Sequence, residues 1–175
     1  TFTDEYLKAI LQTDAKIIYR LGQTIEHAPI KLHVYPPEDY QKWAEIAEHI
    51  IRHYNEGWAD GFHMNIEYWE IWNEPDLGAQ CWAGDWRAYA DFYKVAATHL
   101  KKCFPNLKIG GPAITNAHAH EFIDHFFTVL TSGEPTPLDF FSWHSYSIDP
   151  KKNSADACEI DRQLKKYGYD KTENM

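Results

Sequence analysis

The segment Tyr68-Trp69-Glu70-Ile71-Trp72-Asn73-Glu74-Pro75 holds the residue types best suited to chemistry. Its aromatic and β-branched first half reads as a strand, and Pro75 stops it, so an amide and a carboxylate stand together at the strand's carboxyl end. A carboxylate placed there can pass protons or attack an electrophilic carbon. The plain alternative is a polar turn, for which Asn and Pro are good residues. Strict alternation would send Asn73 and Glu74 to opposite faces, so they can serve one site only if the strand bulges or ends there. His144 and Tyr146 lie two apart at the close of an apolar run, which puts them on one face. His118, His120, Glu121, Asp124 and His125 also cluster, but His120 and His125 are five apart, off the four-residue spacing of a helical zinc pair. A solvated helix start is the expectation there, and neither metal nor cofactor is expected.

These residues must be positioned by the surrounding elements, and the chain alternates helical and strand periods from end to end. Thr3 is the expected cap of a first helix, and residues 16–22 form a first strand. Pro36, Pro37, Glu38 and Asp39 open a long helix stopped by Gly57. The strand 66–72 follows, then a helix capped by Asp85 with Tyr89, Phe92, Tyr93, Ala96, Ala97 and Leu100 inward. A short strand 107–109 runs into Gly110-Gly111-Pro112, a helix ends near Gly133, the strand 138–144 comes next, and a helix over about 154–167 ends before Gly168. Four strands and five helices read this way belong to βα units around a parallel sheet. They do not close a barrel, which takes about 250 residues. No Gly-rich phosphate loop follows any strand, which removes the usual cofactor reading of a doubly wound sheet.

The 175 residues fit one domain, and 44% hydrophobic with 15% aromatic content is too apolar for a disordered segment. The formal charge of −9, with no stripe of Lys and Arg, argues against nucleic acid and anionic membrane surfaces as partners. Cys81, Cys103 and Cys158 are odd in number and widely spaced, which fits neither a disulfide framework nor a CxxC metal pattern. There is no long apolar run and no leading signal segment, and the location of the parent protein, secreted and periplasmic included, stays open.

Trp72-Asn73-Glu74-Pro75 closing a strand resembles the acid/base motif of clan A glycoside hydrolases. The likeness extends through Asp76-Leu77, Cys81-Trp82, the stretch from Asn106 through Gly110-Gly111-Pro112 to Ala113, and Phe141-Ser142-Trp143-His144-Ser145-Tyr146. Over residues 68–147 the chain is similar to glycoside hydrolase family 39, which contains β-xylosidases and α-L-iduronidases. The resemblance implies an α/β fold, a partial (β/α)8 TIM barrel from about helix 2 to helix 6, in which the strand ending at Glu74 is barrel strand 4. It implies a retaining hydrolase with Glu74 as acid and then base, and with a nucleophilic glutamate on a strand that begins just after Gly168 and ends beyond Met175. It implies that Asn73 meets the sugar 2-hydroxyl, that the Tyr146 hydroxyl meets the nucleophile, and that His144 lies near the sugar. Trp82, Trp72 and Trp143 would then offer flat rings to the sugar's apolar faces, with barrel packing as the alternative for Trp72 and Trp143. Gln23, Glu26 and His27 could line the same cleft, and His33 and Tyr35 are equally open. The expected partner is a carbohydrate. Other clan A specificities and a non-catalytic carbohydrate-binding barrel are the rivals, and the open edges of an incomplete barrel would favour self-association.

Overall fold

The computed structural model describes residues 1–22 and 32–175. Its regular elements are α1 (Phe2–Leu11), β1 (Ile18–Leu21), α2 (Tyr40–Glu56), β2 (Tyr68–Ile71), α3 (Ala88–Cys103), β3 (Lys108–Ile114), α4 (His120–Leu130), β4 (Phe140–Trp143), α5 (Pro150–Lys166) and β5 (Glu173–Asn174). Short 3-10 turns occupy Leu32–Val34 and Pro75–Gln80. All four strand pairings are parallel, and the spatial order β1-β2-β3-β4-β5 is the order of the chain. Right-handed crossovers between strands that never reverse order put every helix on the same face. A doubly wound sheet would switch direction and cover both faces, so the arrangement is an arc of a (β/α)8 barrel.

Local chemistry sets most boundaries. Asp39 caps α2 through the Lys42 amide at 2.9 Å, and Gly57 ends that helix at a φ of 76°. The strands read as 16–22, 66–72 and 138–144 shorten to Ile18–Leu21, Tyr68–Ile71 and Phe140–Trp143, and three expected helix starts move. Thr1, not Thr3, caps α1, in a capping box with Asp4. Asp85 accepts from the Arg87 amide at 3.0 Å in a turn that precedes α3, so it does not cap the helix itself. The Asp149-Pro150 pair starts α5 a turn before residue 154, with Asp149 accepting from Lys151.

The larger correction concerns β3, which runs through Gly110-Gly111-Pro112 to Ile114 and does not stop at 109. Those residues pair with β4, with a register shift between Pro112 and Ile114 that marks a bulge. Glycine is required here by close approach. A Cβ on Gly110 would lie 2.3 Å from the Phe140 carbonyl oxygen, and one on Gly111, at a φ of 139°, would lie 2.9 Å from that of Ile71.

Alternate strand residues face two different environments. Tyr19 and Phe141 pack against Tyr54 of α2 and Phe127 of α4, which identifies the side that faces the helices. Tyr89, Phe92, Tyr93, Phe126 and Phe127 are fully buried there, each contributing about 2 to 3 kcal/mol. The opposite side carries Arg20, Tyr68, Glu70 and Phe140, the lining of the barrel. Arg20 Nε and Glu70 Oε2 pair across it at 2.5 Å.

Candidate active site

The site lies where β2, β3 and β4 end. The β2 ladder stops at Ile71, whose carbonyl takes the Tyr89 hydroxyl at 2.7 Å. Trp72 and Glu74 then adopt positive φ, 73° and 47°, which breaks the alternation that would have separated Asn73 from Glu74. Both side chains reach the Cys81 thiol, Asn73 Nδ2 at 3.9 Å and Glu74 Oε2 at 3.9 Å. Left-handed backbone costs a non-glycine residue on the order of 1 to 2 kcal/mol. Three such residues, Trp72, Glu74 and Ala113, sit together at this one rim.

The bulged end of β3 holds the two flanks together. Ala113 carbonyl accepts from the Glu74 amide at 3.0 Å, and Ile114 carbonyl accepts from the His144 amide at 2.8 Å. Ala113 in turn donates its amide to Ser142 Oγ at 3.0 Å. The strand read from sequence as a three-residue stub is thus the scaffold between the carboxylate and the imidazole. His144 Nδ1 lies 2.6 Å from Glu74 Oε1, and the two side chains are 24% and 11% exposed, so the pair is largely shielded yet open to the cleft.

Asp76 lies two residues on. Its carboxylate accepts from the Thr115 amide at 3.1 Å and from the Thr115 hydroxyl, which ties the turn after Glu74 to the end of β3. Burial raises its pKa above the ordinary value, against the Thr115 hydrogen bonds and helped by the neighbouring charge of Glu74. The Glu-x-Asp spacing of Glu74 and Asp76 across a proline is the available sign, but its partner lies 39 residues away.

The other expected residues separate into those brought to the rim and those withdrawn from it. Tyr146 is on the rim, 87% exposed, with its ring edge-on to His144 at 6.3 Å. Trp143 is half-buried beside it and donates to Asn174 Oδ1 at 2.7 Å. Trp82 and Trp72 do not form sugar-facing walls. They are 0% and 3% exposed, stacked edge-on at 5.3 Å, with their indole nitrogens spent on the carbonyls of Asp85 and Cys81. Asn73 is fully enclosed, so its amide cannot meet a sugar hydroxyl in this arrangement. Its Oδ1 is a buried acceptor with no hydrogen-bond partner among the described residues. Tyr35 is 60% exposed, and His33 is half-buried with an unpartnered Nε2. Gln23, Glu26 and His27 lie outside the described residues.

At the histidine-rich start of α4 each side chain has its own partner. His118 pairs with Asp156, His120 with Glu159 and His125 with the Arg87 carbonyl, while Asp124 takes Lys166 and Tyr167. The rings of His118 and His120 meet edge-on, 5.7 Å apart.

A second glutamate, Glu173, lies on β5, the strand expected just after Gly168. It sits at the wrong end to join Glu74. It pairs in register with Phe140 at the start of β4, and it accepts from the Tyr68 hydroxyl and Lys108 Nζ at 2.9 and 2.8 Å.

Comparison with known proteins finds relatives along most of the chain. The chain is 32% identical over 120 residues to a β-xylosidase of Caldicellulosiruptor saccharolyticus, an alignment covering 68% of this chain and 23% of that protein. It is 30% identical over 142 residues to a β-xylosidase of Geobacillus stearothermophilus, covering 80% and 25%. A solved glucosidase structure from Croceicoccus marinus superposes with a TM-score of 0.85 at 30% identity, over 98% of this chain and 36% of that one. The chain therefore spans about a quarter of the curated relatives it matches. The family model described as "Glycosyl hydrolases family 39" matches residues 22–173, and with the barrel arc and its ordered motifs this shows that the chain belongs to glycoside hydrolase family 39.

Proposed function

We propose that this chain forms the acid/base-bearing part of a retaining β-glycosidase of the β-xylosidase type. The observation that carries the reading is Glu74: a shielded carboxylate at the carboxyl rim of a parallel barrel, held by His144 Nδ1 at 2.6 Å. Hydrolysis of a glycosidic bond needs an acid to protonate the leaving oxygen and a second carboxylate about 5 to 5.5 Å away to capture the oxocarbenium-like centre. Glu74 protonates the leaving oxygen, and the resulting carboxylate then takes a proton from the water that releases the sugar. His144 holds Oε1 in place, so that Oε2 carries the transferable proton. Register supports a partner further along β5. Phe141 stands opposite Asn174, and the Trp143 amide donates to the Met175 carbonyl. The height of Glu74 on that strand is therefore reached past Met175, and Glu173 is not the partner. The xyloside preference rests on the likeness to the two β-xylosidases.

The full-length protein should hydrolyse aryl β-xylosides faster than aryl β-glucosides or α-L-iduronides, with the anomeric configuration retained. In Glu74→Ala, added azide should restore turnover of an activated xyloside and give a β-xylosyl azide. Unchanged hydrolysis in Glu74→Gln would remove this residue from the mechanism. Faster turnover of the iduronide would replace the substrate, and binding of xylo-oligosaccharides without any turnover would leave a recognition barrel.

A further inference from the structure

A different cluster lies on the solvent side of the helical layer. Helices α2 and α3 run side by side, and their facing surfaces bring together Glu48, His99 and Cys103, all half-buried. His99 and Cys103 are four apart, so they share one face of α3, and Glu48 reaches them from α2. His99 Nε2 lies 2.7 Å from Glu48 Oε2 and 3.7 Å from Cys103 Sγ, and all three ligand atoms fall within 4.8 Å of one another. We propose that these three side chains bind one divalent transition metal ion, zinc above all, with water as the fourth ligand.

The geometry suits that ion. Zinc bonds of about 2.0 Å to nitrogen or oxygen and 2.3 Å to sulfur place tetrahedral ligands roughly 3.3 to 3.8 Å apart. The observed separations bracket that range, so side-chain rotations of about an ångström are enough. A thiolate and an imidazole disfavour magnesium and calcium, which take oxygen ligands. Charge also balances: a dication with a carboxylate, a thiolate and a neutral imidazole is neutral, and the thiol proton leaves to solvent. The outer contacts are of the kind that fix metal ligands. Gln41 meets His99 Nδ1 at 3.1 Å, where rotation of its amide would accept the ring N–H, and Arg52 holds the other Glu48 oxygen at 2.8 Å. An ion here would pin α2 to α3, on the far side of the helical layer from Glu74, and would serve stability with no part in turnover.

The test uses the full-length protein, kept reduced with a phosphine and stripped of metal. Zinc should bind at one equivalent in competition with a chromogenic chelator and raise the melting temperature. Cobalt(II) should give the visible bands of a tetrahedral ion and a near-ultraviolet thiolate-to-metal band. Cys103→Ser should abolish that band and weaken zinc binding at least tenfold, as should His99→Gln, while Cys158→Ser changes neither. Should Cys103→Ser fold poorly by circular dichroism, His99→Gln and Glu48→Gln carry the same comparison. Zinc affinity in the parent equal to that in the ligand variants, or a thiolate band that survives Cys103→Ser, would overturn the assignment and leave a hydrogen-bonded network.

Discussion

The two ends of the same parallel sheet are built by opposite rules. At the amino end ion pairs and hydrogen bonds tie neighbouring strands together: Tyr68 and Lys108 converge on Glu173, Lys16 meets Glu67 at 3.2 Å, and Lys101 and the Ile109 amide share Asp139. The strands themselves begin there in ordinary extended backbone, and the left-handed Asp14 and Asn65 belong to the turns that lead into β1 and β2. At the carboxyl end three non-glycine residues take left-handed backbone, Asn73 keeps a buried acceptor without a partner among the described residues, and Asp76 is buried enough for its pKa to rise. One end is settled and the other is held in place by its surroundings. In barrels of this type, stability resides at the amino face and chemistry at the carboxyl face. Left-handed backbone at Trp72, Glu74 and Ala113, where a carboxylate and an imidazole meet, is the local form of that division.

The sharpest test of the division sets two glutamates against each other in the full-length protein. Glu74→Gln should cost roughly 10²- to 10⁴-fold in kcat/KM, the usual worth of a positioned proton donor, and leave the melting temperature within a degree or so. Glu173→Gln should do the reverse, lowering stability modestly and leaving kcat/KM within about twofold. Comparable activity losses in both would show that the ends are not functionally distinct.

Next in size comes Gly110→Ala. Its new methyl meets the Phe140 backbone, which cannot rotate away as a side chain would. The cost should reach about 3 kcal/mol, the upper end for an overpacked site, read from the urea midpoint. Because β3 carries both Glu74 and His144 on its carbonyls, residual folded protein should also lose activity. Normal stability in this variant would mean that β3 and β4 can separate freely.

His144→Ala removes the hydrogen bond that holds Glu74 Oε1, worth about 0.5 to 1.5 kcal/mol, so kcat/KM should fall roughly 2- to 10-fold. His144 acts through Glu74 as a positioning residue, and the loss should deepen as the leaving phenol becomes less acidic, because a poorer leaving group depends more on its proton. His144→Asn, whose amide nitrogen can occupy the place of Nδ1, should recover part of the rate. A uniform loss across leaving groups, with no recovery in Asn, would reduce His144 to packing.

The sequence shows some of this division and conceals the rest. Helices declare themselves through apolar periodicity and caps, and the strand-ending Trp72-Asn73-Glu74-Pro75 marks the rim, because such patterns are local. The extended β3 is concealed, since Gly110-Gly111-Pro112 reads as a breaker until β2 and β4 are known to crowd it from both sides. Trp82 and Trp72 mislead for a related reason: an aromatic beside a catalytic motif looks the same whether it lines a cleft or fills the layer beneath it. Tertiary enclosure decides, and here Phe92 and Tyr89 supply it. The ties of Asp76 to Thr115 and of Glu48 to His99 join residues distant in the chain, so spacing can mark Asp76 itself but not the partner of either carboxylate.

The smallest effect is a difference of sign between the two ends. Lys108 above all, with Tyr68, holds the Glu173 carboxyl below its ordinary value of 4.5. The unfolded chain then takes up the proton first, so this stabilisation is complete above pH 4.5 and fades as pH falls toward the folded value. Asp76 runs the other way, its carboxyl raised above 3.8 by burial. The folded state binds that proton more tightly, so its contribution is complete below pH 3.8 and is lost as pH rises through the folded value. Urea midpoints taken from about pH 3 to 6 on the parent, Glu173→Gln and Asp76→Asn isolate each group by difference. The gap between parent and Glu173→Gln should widen as pH rises, and that between parent and Asp76→Asn should narrow. The Thr115 hydrogen bonds favour the charged carboxylate, so they shrink the slope of the second curve without reversing it. Two gaps that slope the same way would mean that the carboxylates at the two ends feel one environment, and the contrast between a settled rim and a strained one would fail at its electrostatic root.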